Sequence, residues 1–272
     1  MPELPEVETT RRGLSPYCVG SKLVELRVRE ARLRWPVSCE MPVLVKDCLI
    51  ESVDRRGKYL LFLLEGEKAM LLHLGMSGSV RVVPPSTPPL KHDHIDLVLD
   101  NGAALRFHDP RRFGSLHYAE QPLERHPLLR NLGPEPLSEA FDGEYLFKAS
   151  RARRVAVKPF IMDSHIVVGV GNIYAAEALF RTGIHPARSA GRISLPRYKQ
   201  LAEDIREVLA EAIEIGGTTL RDFTNSKGEP GYFQQVLNVY GRAGKLCKRC
   251  GASLKSITLS QRATVYCPRC QR

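Results

Sequence analysis

The spacing of apolar positions changes character partway along the chain. In the first part they fall in short runs: Leu23–Val28, Leu49–Val53, Tyr59–Leu64, Met70–Leu74, Ser79–Val83, Ile95–Leu99, Ala104–Phe107 and Ser115–Tyr118. Turn signals separate them, among them Arg56-Gly57, Glu65-Gly66 and Asp100-Asn101-Gly102. Many short strands with no helix between them predict an antiparallel sandwich or barrel. Ahead of them, residues 5–14 predict a short helix ending at Gly13. The proline-rich stretch from Gln121 to Pro136 reads as a linker.

Beyond the linker the period becomes helical. Tyr198, Leu201, Ile205, Val208, Leu209 and Ala212 share one face, with Glu203, Glu207 and Glu211 opposite, and Gly216-Gly217 stops the run. Gly169-Val170-Gly171-Asn172 opens a second helix, Ile173 to Arg181, closed by Gly183. A glycine turn of this kind leaves backbone N–H groups that favour a phosphate, although a plain helix-to-helix turn looks the same. Residues 217–245 are glycine-rich and polar with few apolar anchors, which predicts a mobile loop.

Composition narrows the class of partner. The chain has 272 residues, 43% of them hydrophobic, enough for one large domain or two small ones, and its formal net charge is +10. That balance favours a polyanion, either nucleic acid or an anionic membrane surface. No apolar run approaches the roughly 18 residues that span a bilayer. The N-terminus carries acid where a signal peptide needs base. The expectation is a soluble cytosolic protein.

Cysteine spacing supplies the first piece of chemistry. Cys247-x-x-Cys250 and Cys267-x-x-Cys270, sixteen residues apart, fit a four-cysteine zinc site. Between them, Ser256–Leu259 and Ala263–Tyr266 read as two strands, a β-hairpin clasped at its base by one structural Zn2+. So short a piece cannot bury enough core, and metal binding supplies its folding energy. No acid occurs from Lys245 to Arg272, so the hairpin stays positive even with four thiolates around the metal. Cys18, Cys39 and Cys48 are scattered and make a poor disulfide framework.

The N-terminus supplies the second. Met1-Pro2-Glu3-Leu4-Pro5-Glu6-Val7-Glu8 crowds three carboxylates against an end that becomes Pro2 if the initiator methionine is removed. An α-amine with a reference pKa of about 7.7–8.0 offers far more free base near neutral pH than a lysine at about 10.4. Such a secondary amine can attack a carbonyl-like carbon and form an iminium that acts as an electron sink. Glu3 next door can protonate a leaving group. Read alone, the same residues also suit a helix start.

Taken together, the stretches PELPEVE at the start, RRGKYL at 55–60, LHLGMSG at 72–78, KHDH at 91–94, DPRRFG at 109–114, VVGVGNIYAAEAL at 167–179 and RATVYCPRC at 262–270 resemble the bacterial formamidopyrimidine-DNA glycosylase family over nearly the whole chain. The resemblance implies an α+β fold with an N-terminal antiparallel β-sandwich, a helix–two-turns–helix domain and a C-terminal zinc-finger hairpin. The corresponding domains are 1–120, a linker 121–136, 137–240 with a lesion loop, and 241–272, with DNA in the cleft between the lobes. It implies a monomer, cytoplasmic and nucleoid-associated, acting on double-stranded DNA that contains oxidised purines, with glycosylase and abasic-site lyase activities and no membrane partner.

The resemblance also assigns residues. Pro2 is the nucleophile and Glu3 the acid or base, while Lys58 and Arg262 take the positions given to proton donation in strand cleavage. An arginine barely releases a proton, so Arg262 reads physically as a phosphate clamp. Met76, Arg111 and Phe113 match the wedge that fills the gap left by a flipped nucleotide. Arg111 has donors for the acceptor edge of an orphaned cytosine. His92, Arg153 and Asn172 match phosphate contacts. Without the resemblance, Lys58 would be a solvated turn lysine, Met76 and Phe113 core residues, and His73 a packed histidine, which stays outside the site. In the loop, Thr218–Phe223 resembles the family while Ser226–Glu229 is individual. Two rivals remain: an endonuclease VIII-like glycosylase for oxidised pyrimidines, and a non-catalytic zinc-containing DNA-binding protein.

Overall fold

The computed structural model describes residues 2–216 and 237–272. Thr218–Phe223 and Ser226–Glu229 therefore lie outside the described residues. The chain divides into two compact units, Met1–Arg130 with Ile215–Gln234, and Asn131–Glu214 with Gln235–Arg272.

The first unit opens with helix α1 (Leu4–Cys18) and continues as eight strands: β1 (Lys22–Val28), β2 (Cys48–Arg56), β3 (Tyr59–Leu64), β4 (Lys68–His73), β5 (Ser79–Val83), β6 (Asp93–Leu99), β7 (Ala104–His108) and β8 (Ser115–Glu120), with the short helix α2 (Met41–Leu44) between β1 and β2. All eight predicted strands are present. The antiparallel order is β5-β7-β6-β1-β2-β3-β4-β8. β1 and β2 share only the pairs Lys22↔Leu49 and Leu23↔Cys48, and this short seam joins two four-stranded halves. Period-two alternation sends Leu60, Phe62 and Leu64 of β3, Ile95, Leu97 and Leu99 of β6, and Leu105 and Phe107 of β7 into one core. The halves thus face each other as a sandwich.

Helix α1 runs past Gly13, where the sequence predicts its end, and contains Pro16. Val7, Leu14 and Cys18 all sit in the sandwich core, fully buried. The burial of Leu14 and Cys18 in this core favours the added turn, against the cost of Gly13 and Pro16 within the helix.

The second unit contains α3 (Gly143–Ser150), α4 (Val157–Met162), α5 (Asn172–Thr182), α6 (Leu195–Glu214) and the hairpin strands β9 (Lys255–Leu259) and β10 (Arg262–Tyr266). α5 is apolar nearly all round, with every residue from Ile173 to Phe180 buried. One side of it, through Ala176 and Phe180, joins Val239, Leu254 and Val265 in the small core beneath the hairpin. The sequence predicts mobility through residue 245, but Leu237 and Val239 are buried. The buried Glu177 carboxylate also accepts the backbone N–H groups of Asn238, Val239 and Tyr240 at 2.8–2.9 Å. That anchor fixes residues 237–240. No helix among the described residues is long and apolar enough to cross a membrane.

Candidate active site and metal centre

Pro2 and Glu3 are both buried at the head of α1. The Glu6 carboxylate accepts the Glu3 backbone N–H at 2.8 Å, one half of a capping box between these two residues. The box fixes the peptide next to Pro2. Glu8 acts differently. It accepts from Arg11, Arg12 and Arg55 at 2.8–3.2 Å and ties α1 to β2. Burial alone would raise the Glu8 pKa, but these guanidinium groups outweigh it and hold it below the ordinary value. Of the three N-terminal carboxylates, Glu8 is a structural link and Glu6 a cap.

Lys58 occupies the two-residue turn between β2 and β3, flanked by the pair Arg56↔Tyr59. Gly57 precedes it with φ of +57°, the left-handed conformation that the first turn position of this hairpin class requires. Tyr59 pairs with His73 across β3 and β4, their rings 4.9 Å apart. His73 Nδ1 accepts the Gly75 N–H at 2.9 Å. Burial, and then the charges of Lys58 and Arg34, push the His73 pKa down to about 4. The ring is neutral at pH 7, with Nδ1 as acceptor and the proton on Nε2. On sequence grounds His73 stays outside the site. It is packed, as expected, but within electrostatic reach of Lys58, and its strand register with Tyr59 is the signal that could have linked them.

Met76, Arg111 and Phe113 are brought together. They lie on two turns, after β4 and after β7, joined by the fully buried Asp109 carboxylate. Asp109 Oδ1 accepts from Ser77 Oγ at 2.7 Å, and Oδ2 accepts the Gly114 N–H at 2.8 Å. The turns touch so closely that a Cβ on Gly75 would lie 2.4 Å from Gly114 N, and only glycine fits there. Met76 and Phe113 are 36% and 43% exposed, unlike core residues, and the Arg111 guanidinium lies 5.0 Å from the Phe113 ring centroid.

His92 precedes β6, its ring 5.8 Å from that of His108. Partial desolvation, then His108, Lys91 and His94, lower its pKa. Behind it is a buried charge network in which Asp93 accepts from Arg81 at 2.7 Å and hydrogen-bonds the His108 ring at 2.9 Å. Asp96 accepts from Arg106 at 2.9 Å and also pairs with Arg29. This network stiffens β6 and β7 behind His92.

In the second unit, Arg153 is an exposed side chain on a turn after α3 whose carbonyl accepts the Gly191 N–H at 3.0 Å. Asn172 opens α5. Its Oδ1 accepts from Lys158 Nζ at 2.6 Å and its Nδ2 donates to the Ala263 carbonyl at 3.2 Å. Lys158, absent from the sequence-predicted site, is 1% exposed and also donates to Thr264 Oγ1 at 2.9 Å. One buried ammonium thus links α4, α5 and β10; its only sequence signal is a lysine in the apolar run Val157–Met162. Arg262 is the exposed first residue of β10, after the turn Ser260-Gln261, where both residues have positive φ. A left-handed conformation costs a non-glycine residue roughly 1–2 kcal/mol. A cavity of about 180 Å³ is lined by Lys158, Asn172, Asp163, Ser260 and Arg262 among others.

The four cysteines converge, with their sulfur atoms all within 4.8 Å of one another. The Cys250–Cys267 and Cys247–Cys270 Sγ pairs are 3.4 and 4.0 Å apart. Zn–S bonds of about 2.3 Å at tetrahedral angles require sulfur atoms about 3.8 Å apart. The donor set therefore fits one structural Zn2+, with every ligand from the protein.

The formamidopyrimidine-DNA glycosylase N-terminal domain family matches residues 1–116, the H2TH domain family of the same enzymes 132–224, and the zinc finger found in FPG and IleRS 244–272. The formamidopyrimidine-DNA glycosylase of Methylococcus capsulatus is 60% identical over 272 residues, covering all of both chains. Among solved structures, the MutM (Fpg) protein from Thermus thermophilus is 42% identical with a TM-score of 0.90, covering 99% of this chain and 98% of that one. The Lactococcus lactis Fpg in complex with DNA containing an abasic site is 33% identical with a TM-score of 0.92, covering 99% of each chain. Sandwich, H2TH helices and zinc hairpin together define a DNA glycosylase of base-excision repair with abasic-site lyase activity. Full-length identity narrows the class: the chain belongs to the formamidopyrimidine-DNA glycosylase family.

Proposed function

We propose that this enzyme removes oxidised purines, 8-oxoguanine and formamidopyrimidines, from double-stranded DNA and then cleaves the strand, using Pro2, Glu3, Lys58 and Arg262. The freed Pro2 amine attacks the anomeric carbon and displaces the base, with Glu3 delivering the proton that base loss and ring opening need. The resulting iminium acidifies the adjacent sugar proton. Its removal expels the 3′ phosphate, and a second elimination expels the 5′ phosphate. Lys58 moves protons in these steps, and Arg262 holds a phosphate. Met76 and Phe113 fill the gap in the duplex, Arg111 reads the orphaned cytosine, and His92, Arg153 and Asn172 hold the backbone. The domain division at 1–120, 121–136, 137–240 and 241–272 and a monomeric enzyme at the cytoplasmic nucleoid belong to the same reading.

The observation that carries this reading is the Asp109 link, which presents two apolar side chains and a guanidinium side by side at the surface. Its neighbours support it: a capped peptide beside Pro2, and a neutral His73 close to Lys58. Two structures of one relative support the substrate: Lactococcus lactis Fpg is seen with DNA containing Fapy-dG, as a point mutant, and with DNA containing an abasic site. Borohydride trapping on a duplex with 8-oxoguanine opposite cytosine tests it. The unblocked protein should crosslink to the DNA, and a protein with a blocked N-terminus should neither crosslink nor cleave. Undiminished cleavage by the blocked protein removes Pro2 from the mechanism.

A further inference from the structure

Four arginines recur between Glu25 and Trp35: Arg27, Arg29, Arg32 and Arg34. Three are paired with nearby acids. Arg27 pairs with Glu25 at 2.7 Å, Arg32 with Glu30 at 2.8 Å, and Arg29 with the buried Asp96. Arg34 is exposed and pairs with no carboxylate among the described residues. Next to it is Trp35, the only tryptophan of the chain, 52% exposed. Leaving a large aromatic surface in water forgoes part of the roughly 1.5–3 kcal/mol that full burial of a large apolar side chain gives.

The loop presenting these two residues is firmly built. Leu33 and Val37 are its anchors in the sandwich core. Their N–H groups both donate to the Ala31 carbonyl at 3.0 Å, and Arg32 and Pro36 form a bridge that leaves Leu33–Trp35 as the bend. Two links attach the loop to the wedge turn: Arg34 N–H donates to the Gly114 carbonyl at 3.1 Å, and Arg112 meets Glu30 at 3.5 Å. Arg34 is also close enough for its charge to act on His73 and Tyr59, as Lys58 acts on His73.

We propose that the Arg34-Trp35 tip is a further DNA contact of the sandwich unit, in which the Arg34 guanidinium takes a backbone phosphate and the Trp35 ring packs on the DNA beside the wedge. It rests on the reading that Met76, Arg111 and Phe113 enter a duplex. An unpaired guanidinium next to an exposed indole is the combination that grips a nucleic-acid strand, one part through charge and the other through stacking. Arg29 is committed to the buried Asp96 and Arg27 and Arg32 have acids beside them, whereas Arg34 has no carboxylate partner among the described residues.

The test uses the full-length zinc-loaded protein and a fluorescently labelled duplex with an uncleavable abasic-site analogue. DNA anisotropy measured across salt concentrations gives the affinity. Arg34→Gln should weaken binding by about tenfold and lower the slope of log K against log salt by about 0.9, while Arg34→Lys keeps the slope. Acrylamide quenching of the single tryptophan in the wild-type protein should fall when the duplex saturates it, a readout independent of any variant. Failure of the wild type to bind the duplex would overturn the DNA reading itself. Binding with unchanged quenching of Trp35, or with the full wild-type slope in Arg34→Gln, would overturn the tip alone.

Discussion

In the sandwich unit one buried carboxylate, Asp109, joins the turns that carry Met76, Arg111 and Phe113; in the helical unit four thiolates clasp the hairpin that carries Arg262. The difference follows from core size. The sandwich turns rest on an extensive core fed by α1 and both sheet halves, so hydrogen bonds need only choose their conformation. The hairpin's cluster has seven buried residues, two of them cysteines of the metal site, and part of it is borrowed from α5. Too little apolar surface is available there, and metal coordination replaces it.

Removing the metal is the strongest test of that contrast. Structural zinc contributes about 10–16 kcal/mol to folding in small fingers. Cys267→Ser should lose zinc, release Arg262 and lower affinity for an abasic-analogue duplex by on the order of 100-fold as several cationic contacts disappear together. The sandwich should still melt cooperatively. Retained affinity without zinc would mean that the hairpin holds its form without the metal.

The corresponding change in the sandwich is Asp109→Ala. It leaves the Gly114 N–H and the Ser77 hydroxyl without their acceptor, at about 1–3 kcal/mol each. The melting temperature should fall while zinc content, measured by metal analysis, stays at one per chain. A coupled loss of zinc would join the two mechanisms that the comparison separates.

His73 sharpens the sandwich side through pH. Its folded pKa of about 4 lies below the ordinary 6.5, so the unfolded chain takes up this proton first as pH falls. The stability it contributes is complete above pH 6.5 and is lost as the pH falls towards 4, about 3 kcal/mol in all. The melting temperature of His73→Gln should therefore depend less on pH across this window than that of the wild type. Equal slopes would remove the burial assigned to His73.

The smallest effect concerns the wedge alone. Arg111→Ala should narrow the preference for a lesion opposite cytosine over adenine by roughly tenfold, because cytosine offers a guanidinium two acceptors, N3 and O2, whereas adenine offers N1 alone and a C–H where cytosine has O2. Single-turnover excision from duplexes differing only in the opposite base measures it. An unchanged ratio would move the discrimination away from Arg111.

Features that depend on local pattern were legible in the sequence. Tyr59–Leu64 and Ser79–Val83 appear as strands with the predicted bounds, because a run of alternating or continuous apolar residues between turn signals has few other ways to be buried. The Cys-x-x-Cys pairs announced their metal because ligand spacing is itself local. α2, α3 and α4, with four, eight and six residues, were not placed individually, since one or two turns carry too little periodicity to register.

By itself, then, the sequence determined the strand-rich first half, the helical second half, the zinc hairpin and, through its motifs, the family, and it supplied the residues proposed for catalysis and DNA contact. Only the tertiary structure decided that Glu8 serves three arginines while Glu6 caps the peptide beside Pro2, that Asp109 joins turns whose residues Ser77 and Gly114 are far apart in the chain, and that α1 continues to Cys18. It likewise decided that Lys158 is buried between Asn172 and Thr264. In each case the physical reason is the same. A buried polar group must find its partner wherever the fold brings one, and a helix continues as far as the core rewards it, so neither outcome is written in the residues next to it.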